Sequence, residues 1–444
     1  MSSTATSRDT SVRRASWGTV GGLRRLGAPT RELGLVTAVA VAGAAIGRAF
    51  VNGHASLAVV VCLVPLAAWL LSRPDVSLVL LGASLPVLQS VAGERLGYQV
   101  ALSDLLLVLI GAALLFRAAV TGSAPEVRAL RPVALPILVY GTIMVLLVPF
   151  HIEIGNVLQT GQRFELFLVP LVVGAFAALS SRHVSLLQAY VLATTVLAVV
   201  WPFHDFALQK NPVGQLIANA ILLLVGFRAL HRLWPCLLVL VPGLFLTQSR
   251  GAIVAAAIGI TVIVLMRGLP ARQMAIRIAP VLVAAGLTFA VIPATDQERL
   301  TTFSAGTTTK AEYSIWYRDQ YAADARRIIE ANRWTGVGVG NYGAADASSF
   351  IPVDDPHNVL LLQAAEGGYL LAAGFILVIG GSLLALVRMR SIELAPVAAG
   401  VLLSTAAHGV VDVYWVRGTP VLSWLLVGMV CGLYWSRQRG EASA

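Results

Sequence analysis

The chain has 444 residues, 57% of them hydrophobic and only 12% charged, with a net charge of +10 and a mean hydropathy of +0.80. Soluble domains carry about 25% charged residues, so the composition excludes a soluble domain and points to an all-α polytopic membrane protein. The positive charge does not signal nucleic acid, because the arginines stand singly or in pairs between apolar runs, as in the cytoplasmic loops of membrane proteins.

Residues 1–30 are rich in Ser, Thr, Gly and Arg and lack the apolar core of a cleaved signal. They read as a disordered cytoplasmic tail. A spanning helix needs about 20 apolar residues, with roughly 17–25 tolerated. On that template the region 31–293 holds segments near 33–50, 55–71, 76–92, 101–120, 132–150, 164–180, 184–201, 212–230, 233–248, 250–267 and 275–293. Three more, near 358–388, 394–411 and 417–435, fill residues 358–436, and a short cytoplasmic tail occupies 437–444. The expectation is therefore about 12–14 transmembrane helices.

Arg73, Arg117, Arg128, Arg131, Arg182, Arg228, Arg232, Arg267, Arg272, Arg388 and Arg390 all fall in alternate loops, on the side of a basic N-terminal tail. By the positive-inside rule that side is cytoplasmic, with both termini. The remaining loops then face outward, and one dominates. Residues 294–357 form a large extracytoplasmic loop, and loops of that length without a function are uncommon. Within it, 312–332 places Tyr317, Tyr321, Ala325 and Ile328 at helical spacing, while Arg326 and Arg327 fall on other faces. This predicts an amphipathic helix over the outer face.

Cys62, Cys236 and Cys431 each lie in an apolar segment and form no paired motif, so neither a disulfide nor a metal site is expected. "GVGVG" (336–340) follows no predicted strand, opens no helix and precedes no Lys-Ser/Thr, so it is a turn and not a nucleotide loop. Arg250 interrupts "LTQSRGA" (246–252). An arginine at the bilayer centre costs roughly 2.5–3.5 kcal/mol, but the predicted topology puts Arg250 in a tight outer turn, where that cost is small.

Three stretches share this outer face: "LTQSRGA" (246–252), "YRDQYAADARRIIEANRWTGVGVGNYG" (317–343) and "DPHNVLLLQAAEGG" (355–368). In that order they resemble the O-antigen ligase family, whose superfamily includes O-antigen polymerases and related surface-glycan polymerases. The likeness covers about residues 240–390. The sequence departs from the family in its segment count, since about twelve spanning helices are usual there.

The resemblance implies a membrane glycosyltransferase. It would move a glycan from a polyprenyl diphosphate carrier to an acceptor hydroxyl on the outer face of the cytoplasmic (inner) membrane. It needs no cofactor and no metal, and its partners are the donor, a glycan or glycolipid acceptor and the lipid bilayer. On this reading Arg250 and Arg318 bind the diphosphate, since guanidinium forks suit phosphate oxygens. His357 is the catalytic general base, with an ordinary pKa near 6.5 that suits proton transfer.

Ser249, Asn358, Glu366, His408 and Asp412 are accessory candidates. Each candidate also has a structural alternative. Arg250 is otherwise an interfacial snorkelling residue, Arg318 a solvated helix charge, His357 a polar residue at a helix start, and Asn358 a cap. Glu366 is otherwise the buried partner of an arginine, in a helix that "EGG" (366–368) is placed to break. His408 and Asp412 are otherwise a structural polar pair. Arg163 and Lys210 are placed to extend a basic funnel for the donor. A surface-polysaccharide polymerase would use the same residues. A lipid or glycolipid transporter is the rival class, expected to show repeated halves and ionisable residues near the midplane.

Overall fold

The computed structural model describes residues 73–87, 101–203, 209–268, 271–302, 304–306, 308–347, 349, 353–412 and 419–442. The expected tail at 1–30, the segments at 33–50 and 55–71, and Cys62 lie outside the described residues. Among the described residues there is no strand, and the fold is the all-α, multi-pass architecture that the composition predicts.

In chain order the helices are α1 (Pro74–Ser84), α2 (Leu102–Thr121), α3 (Pro125–Ala129), α4 (Ala134–Leu147), α5 (Ile154–Leu179), α6 (His183–Val200), α7 (Lys210–Gly226) and α8 (Leu237–Leu246). They continue as α9 (Arg250–Arg267), α10 (Ala271–Val291), α11 (Ala294–Thr301), α12 (Lys310–Ala331), α13 (Tyr342–Asp346), α14 (Val359–Arg388), α15 (Ala395–Val411) and α16 (Val421–Ala442). Seven described helical stretches have the length and apolarity to cross a bilayer, among them Ile154–Leu179, Arg250–Arg267 and Val359–Arg388. Leu115, Leu135, Leu238 and Leu265 are each more than 70% exposed, an arrangement that suits a surface facing lipid.

Several bounds differ from the sequence expectation. Helix α5 begins at Ile154, not near 164, because its polar first turns are sheltered by the long loop: Gly338 lies against Asn156, and Gly340 against Gln159. The segment expected near 233–248 opens as a 3-10 stretch, Arg228–Cys236, before α8. Helix α16 runs on through Arg437 and Arg439 to Ala442.

Small residues set the closest helix approaches, as expected where packing must replace the hydrophobic effect. Helices α5 and α16 touch along Gly174, Gly428 and Gly432; a methyl at Gly428 would sit 2.0 Å from the Leu171 carbonyl oxygen. Helix α9 lies on α15 through Gly259 and Gly400. Interhelical hydrogen bonds add to this, from Gln215 Nε2 to Ser404 Oγ at 2.8 Å and from Ser423 Oγ to Thr405 Oγ1 at 3.0 Å.

The long loop is folded, and α12 is its main element. It starts in a capping box: Glu312 N–H donates to Thr309 Oγ1 at 3.3 Å, and Thr309 N–H donates to Glu312 Oε2 at 3.1 Å. The buried residues Ala325, Ile328 and Ile329 pack with Tyr342, Leu362, Ala364 and Ala365 in a separate small core. The second half of α12 is thus bound to α14 rather than laid free over the membrane.

Helix α14 breaks at Gly367 and Gly368, where φ/ψ reach −133°/17° and 68°/−173°. A broken helix frees backbone groups that must find other partners. The loop supplies them. Val337 N–H donates to the Ala365 carbonyl and Gly338 N–H to the Glu366 carbonyl, both at 2.9 Å, and Tyr369 N–H donates to the Arg333 carbonyl at 2.8 Å. Gly336, at φ 65°, leaves no room for a side chain, since a Cβ there would lie 2.2 Å from the Glu366 carbonyl carbon. The glycine turn is therefore a splint for the broken helix.

Candidate functional site

The site assembles where the loop meets one end of the bundle. Arg250 is the first residue of α9, and the buried Ser249 caps that helix, its Oγ accepting a long 3.4 Å bond from Ala252 N–H. Gln248, at φ 53°, accepts from Arg299 Nη1 at 2.7 Å, which ties α11 to the "SRG" turn. Gly251 lies flat against the imidazole of His408; a methyl there would fall 2.6 Å from His408 Cδ2. Glycine at this position lets α9 and α15 close over a buried histidine.

Four cations gather around this turn. The charges of Arg318 and Arg299 act on Arg250, and those of Arg299, Arg318 and Arg250 act on Lys210. Arg318, from α12, donates through Nη2 to Asp412 Oδ2 at 2.6 Å, so its guanidinium is already oriented. Asp412, just past α15, is almost fully buried. Burial alone would raise its carboxyl. The His357 imidazole and the Arg318 guanidinium, with His408 behind, outweigh that and hold it below the ordinary carboxylate range.

His357 owes its position to its neighbours. Its N–H donates to Asp355 Oδ1 at 2.7 Å in an Asx turn, which holds the residue at φ 56°. Asn358 then caps α14, its Oδ1 accepting from Leu360 N–H at 3.0 Å and Leu361 N–H at 3.1 Å. The His357 ring lies 5.3 Å from that of Tyr321. Its Nδ1 stands 3.6 Å from Asp412 Oδ1, just outside hydrogen-bond range. The Asp355 carboxyl is pushed up to about 6, chiefly by burial and also by Glu366, against the His357 N–H, the His357 ring and Arg163.

The structure thus brings together Ser249, Arg250, Arg318, His357, Asn358, His408 and Asp412. Glu366 serves elsewhere. Its carboxylate pairs with Arg163 of α5 and accepts from Gly340 N–H at 2.8 Å, so it anchors the glycine turn. Arg163 is accordingly the partner of Glu366. Lys210 does reach the cation group.

Two residues at the site were not singled out from sequence. Arg299, in "DQERL", looks like any charge on a polar loop. Asp355 did carry a signal: an Asp two residues before a His, across a proline, is the pattern of an Asx turn.

Fold and site together define a multi-pass membrane protein with a cationic, histidine-bearing site under a folded loop. Residues 235–376 match the family model described as O-antigen ligase. The match runs from just before α8 into α14 and takes in Arg250, Arg299, Arg318, Asp355, His357 and Glu366. It bears out the resemblance carried by the three motifs and supports O-antigen ligase- or polymerase-type function in general. No curated protein matches the chain.

Proposed function

We propose that the chain transfers a glycan from a polyprenyl diphosphate to an acceptor hydroxyl on the extracytoplasmic side of the cytoplasmic membrane. The observation that carries this reading is the convergence of Arg250, Arg299, Arg318 and Lys210 on the same pocket of charge as His357 and Asp412. In the reaction the bond between the sugar's anomeric carbon and the diphosphate oxygen breaks, and a bond to the acceptor oxygen forms. Charge develops on the departing diphosphate. Fixed guanidinium groups stabilise that charge without reorganising during the step, and the α9 N-terminus at Ser249 favours the same anion.

The acceptor hydroxyl loses its proton to His357, through the ring nitrogen that does not face Asp412. Asp412 orients the imidazole and steadies the imidazolium once it forms. Direct displacement of this kind inverts the anomeric centre. The same chemistry serves a polymerase when the acceptor is itself a lipid-linked glycan. A broken helix is also a mark of transporters, but here the carbonyls freed at the break accept from Val337 and Gly338.

Transfer from a polyprenyl diphosphate glycan, measured with purified full-length protein in EDTA, tests the proposal. Product from the wild type, and a large loss in His357→Ala and Arg250→Ala at unchanged folding, is the expected result. Product length separates ligation from polymerisation. Full activity in both variants overturns the assignment of roles, and activity that EDTA abolishes overturns metal independence.

A further inference from the structure

The first half of α12 carries a feature that packing among the described residues does not use. Tyr313, Tyr317 and Tyr321 recur every fourth residue and so share one face of the helix. Their ring centroids lie 6.0 Å and 6.2 Å apart, and the fourth ring in the row, 5.3 Å beyond Tyr321, is the imidazole of His357. Trp316 flanks the row, 5.2 Å from Tyr317. Tyr313 and Tyr317 are 41% and 37% exposed, in contrast to Ala325, Ile328 and Ile329, which are buried further along the helix.

An exposed row of rings must meet something. Lipid chains would call for Leu, Ile or Phe, and a tyrosine belt at a membrane interface does not account for a row that ends on the His357 imidazole, on a helix that also carries Glu312, Arg318, Asp319 and Asp324. Aromatic rings with hydroxyl tips suit ligands with one apolar face and a polar rim, and a pyranose has both. We infer that Tyr313, Tyr317 and Tyr321, with Trp316 beside them, form a track for the acceptor oligosaccharide, which delivers its terminal hydroxyl to His357. This inference rests on the reading of His357 as the general base and adds the acceptor class: a chain of several sugars, contacted at successive rings.

The track makes a length-dependent claim. Sugars near the reacting end meet Tyr321, and only longer chains reach Tyr317 and then Tyr313. The probe is a size-graded set of oligosaccharides released from the producing cell's own surface glycan. Binding to the full-length protein in nanodiscs is followed by saturation-transfer NMR, with transfer kinetics run alongside.

Wild-type affinity should rise with chain length. Tyr313→Ala and Tyr317→Ala should flatten that rise, weakening the longest chains roughly 3- to 10-fold and leaving the shortest unchanged. KM for the donor should not move. Trp334→Ala, which removes an exposed aromatic off the track, should bind as wild type does. Equal length dependence in the wild type and in a variant carrying both Tyr313→Ala and Tyr317→Ala overturns the track, as does a loss shared equally by short and long chains. The two readings fail separately. Length-dependent glycan binding without transfer would sink the enzymatic assignment alone, and transfer indifferent to both tyrosines would sink the track alone.

Discussion

Glu366→Ala should be among the most damaging single changes in this chain. The Glu366 side chain is 3% exposed and has two partners, the Arg163 guanidinium and Gly340 N–H. Removing it leaves the guanidinium without its paired carboxylate, with the charge of the more distant Asp355 still acting on it, at a site where Nη1 of Arg163 already has no hydrogen-bond partner among the described residues. Breaking a buried pair from one side costs about 3–5 kcal/mol. Loss of the Gly340 bond adds about 1–3 kcal/mol where that N–H stays dry. Thermal unfolding in detergent should therefore show a fall of several degrees, and the glycine turn should become sensitive to protease.

The cycle with Arg163→Met separates the pair from its surroundings. Once the cation is gone, Glu366→Leu should cost far less than the same change does in the wild type, because an apolar pair of similar volume often replaces a buried ion pair at little cost. Additive effects of the two changes would refute the claim that the charges are coupled. An unchanged Tm in Glu366→Ala would refute the anchoring role altogether.

Gly368→Ala should destabilise the break in α14, since φ 68° and ψ −173° suit glycine alone and the new methyl would lie 2.4 Å from the Trp334 carbonyl; the measurement is Tm, with Gly380→Ala, where a methyl meets only open space, as the comparison. Asn358→Ala should cost about 1 kcal/mol through the lost cap and lower activity by loosening His357, read as a fall in kcat larger than the fall in Tm explains. Asp355 makes stability depend on pH. Its folded pKa, about 6, lies above the unfolded value near 3.8, so its contribution is fully present below about pH 4 and is lost as pH rises through 6. Asp355→Asn keeps the oxygen that accepts from His357 N–H, and its Tm should fall less between pH 4 and 7 than that of the wild type; parallel curves would refute this.

Much of the membrane region was readable because apolar runs of spanning length have few other uses. Runs near 101–120, 250–267 and 358–388 became helices within a residue or two of their expected ends. The errors share a physical cause: local polarity cannot show what will cover it. The turns of α5 before residue 164 are too polar to read as a span, and they are helical because loop glycines shelter them. The break at "EGG" was legible from its glycines, whereas the splint that satisfies it comes from residues some thirty positions earlier.

The site was legible in part. Arg250 and His357 stood out as polar residues at apolar edges and Arg318 through the family resemblance, and the fold does gather them. Helix periodicity put Tyr317, Tyr321, Ala325 and Ile328 on one face, but only tertiary packing decides that the last two are buried and that Tyr317 is not. Arg299 gave no signal, since one charge on a polar loop resembles any other until Gln248 and Arg250 are beside it.

The gathering of cations at the site is itself testable. Lys210, Arg250, Arg299 and Arg318 bring four positive charges to one region, and Asp412 pairs with Arg318. Like charges held together favour a bound anion, so the fold should gain stability from a diphosphate. An anion that binds only the folded chain stabilises it by RT ln(1 + [L]/Kd), about 2.7 kcal/mol at a hundredfold excess over Kd. Inorganic pyrophosphate should therefore raise the wild-type Tm in a saturable way, at an ionic strength matched with chloride. The rise should shrink sharply in Arg250→Ala and in Arg299→Ala, and should persist in Tyr313→Ala, which lies outside the cation group. A rise of equal size with chloride alone, or one that both arginine variants retain in full, would mean that the cations repel without forming an anion site, and the diphosphate role would fall with it.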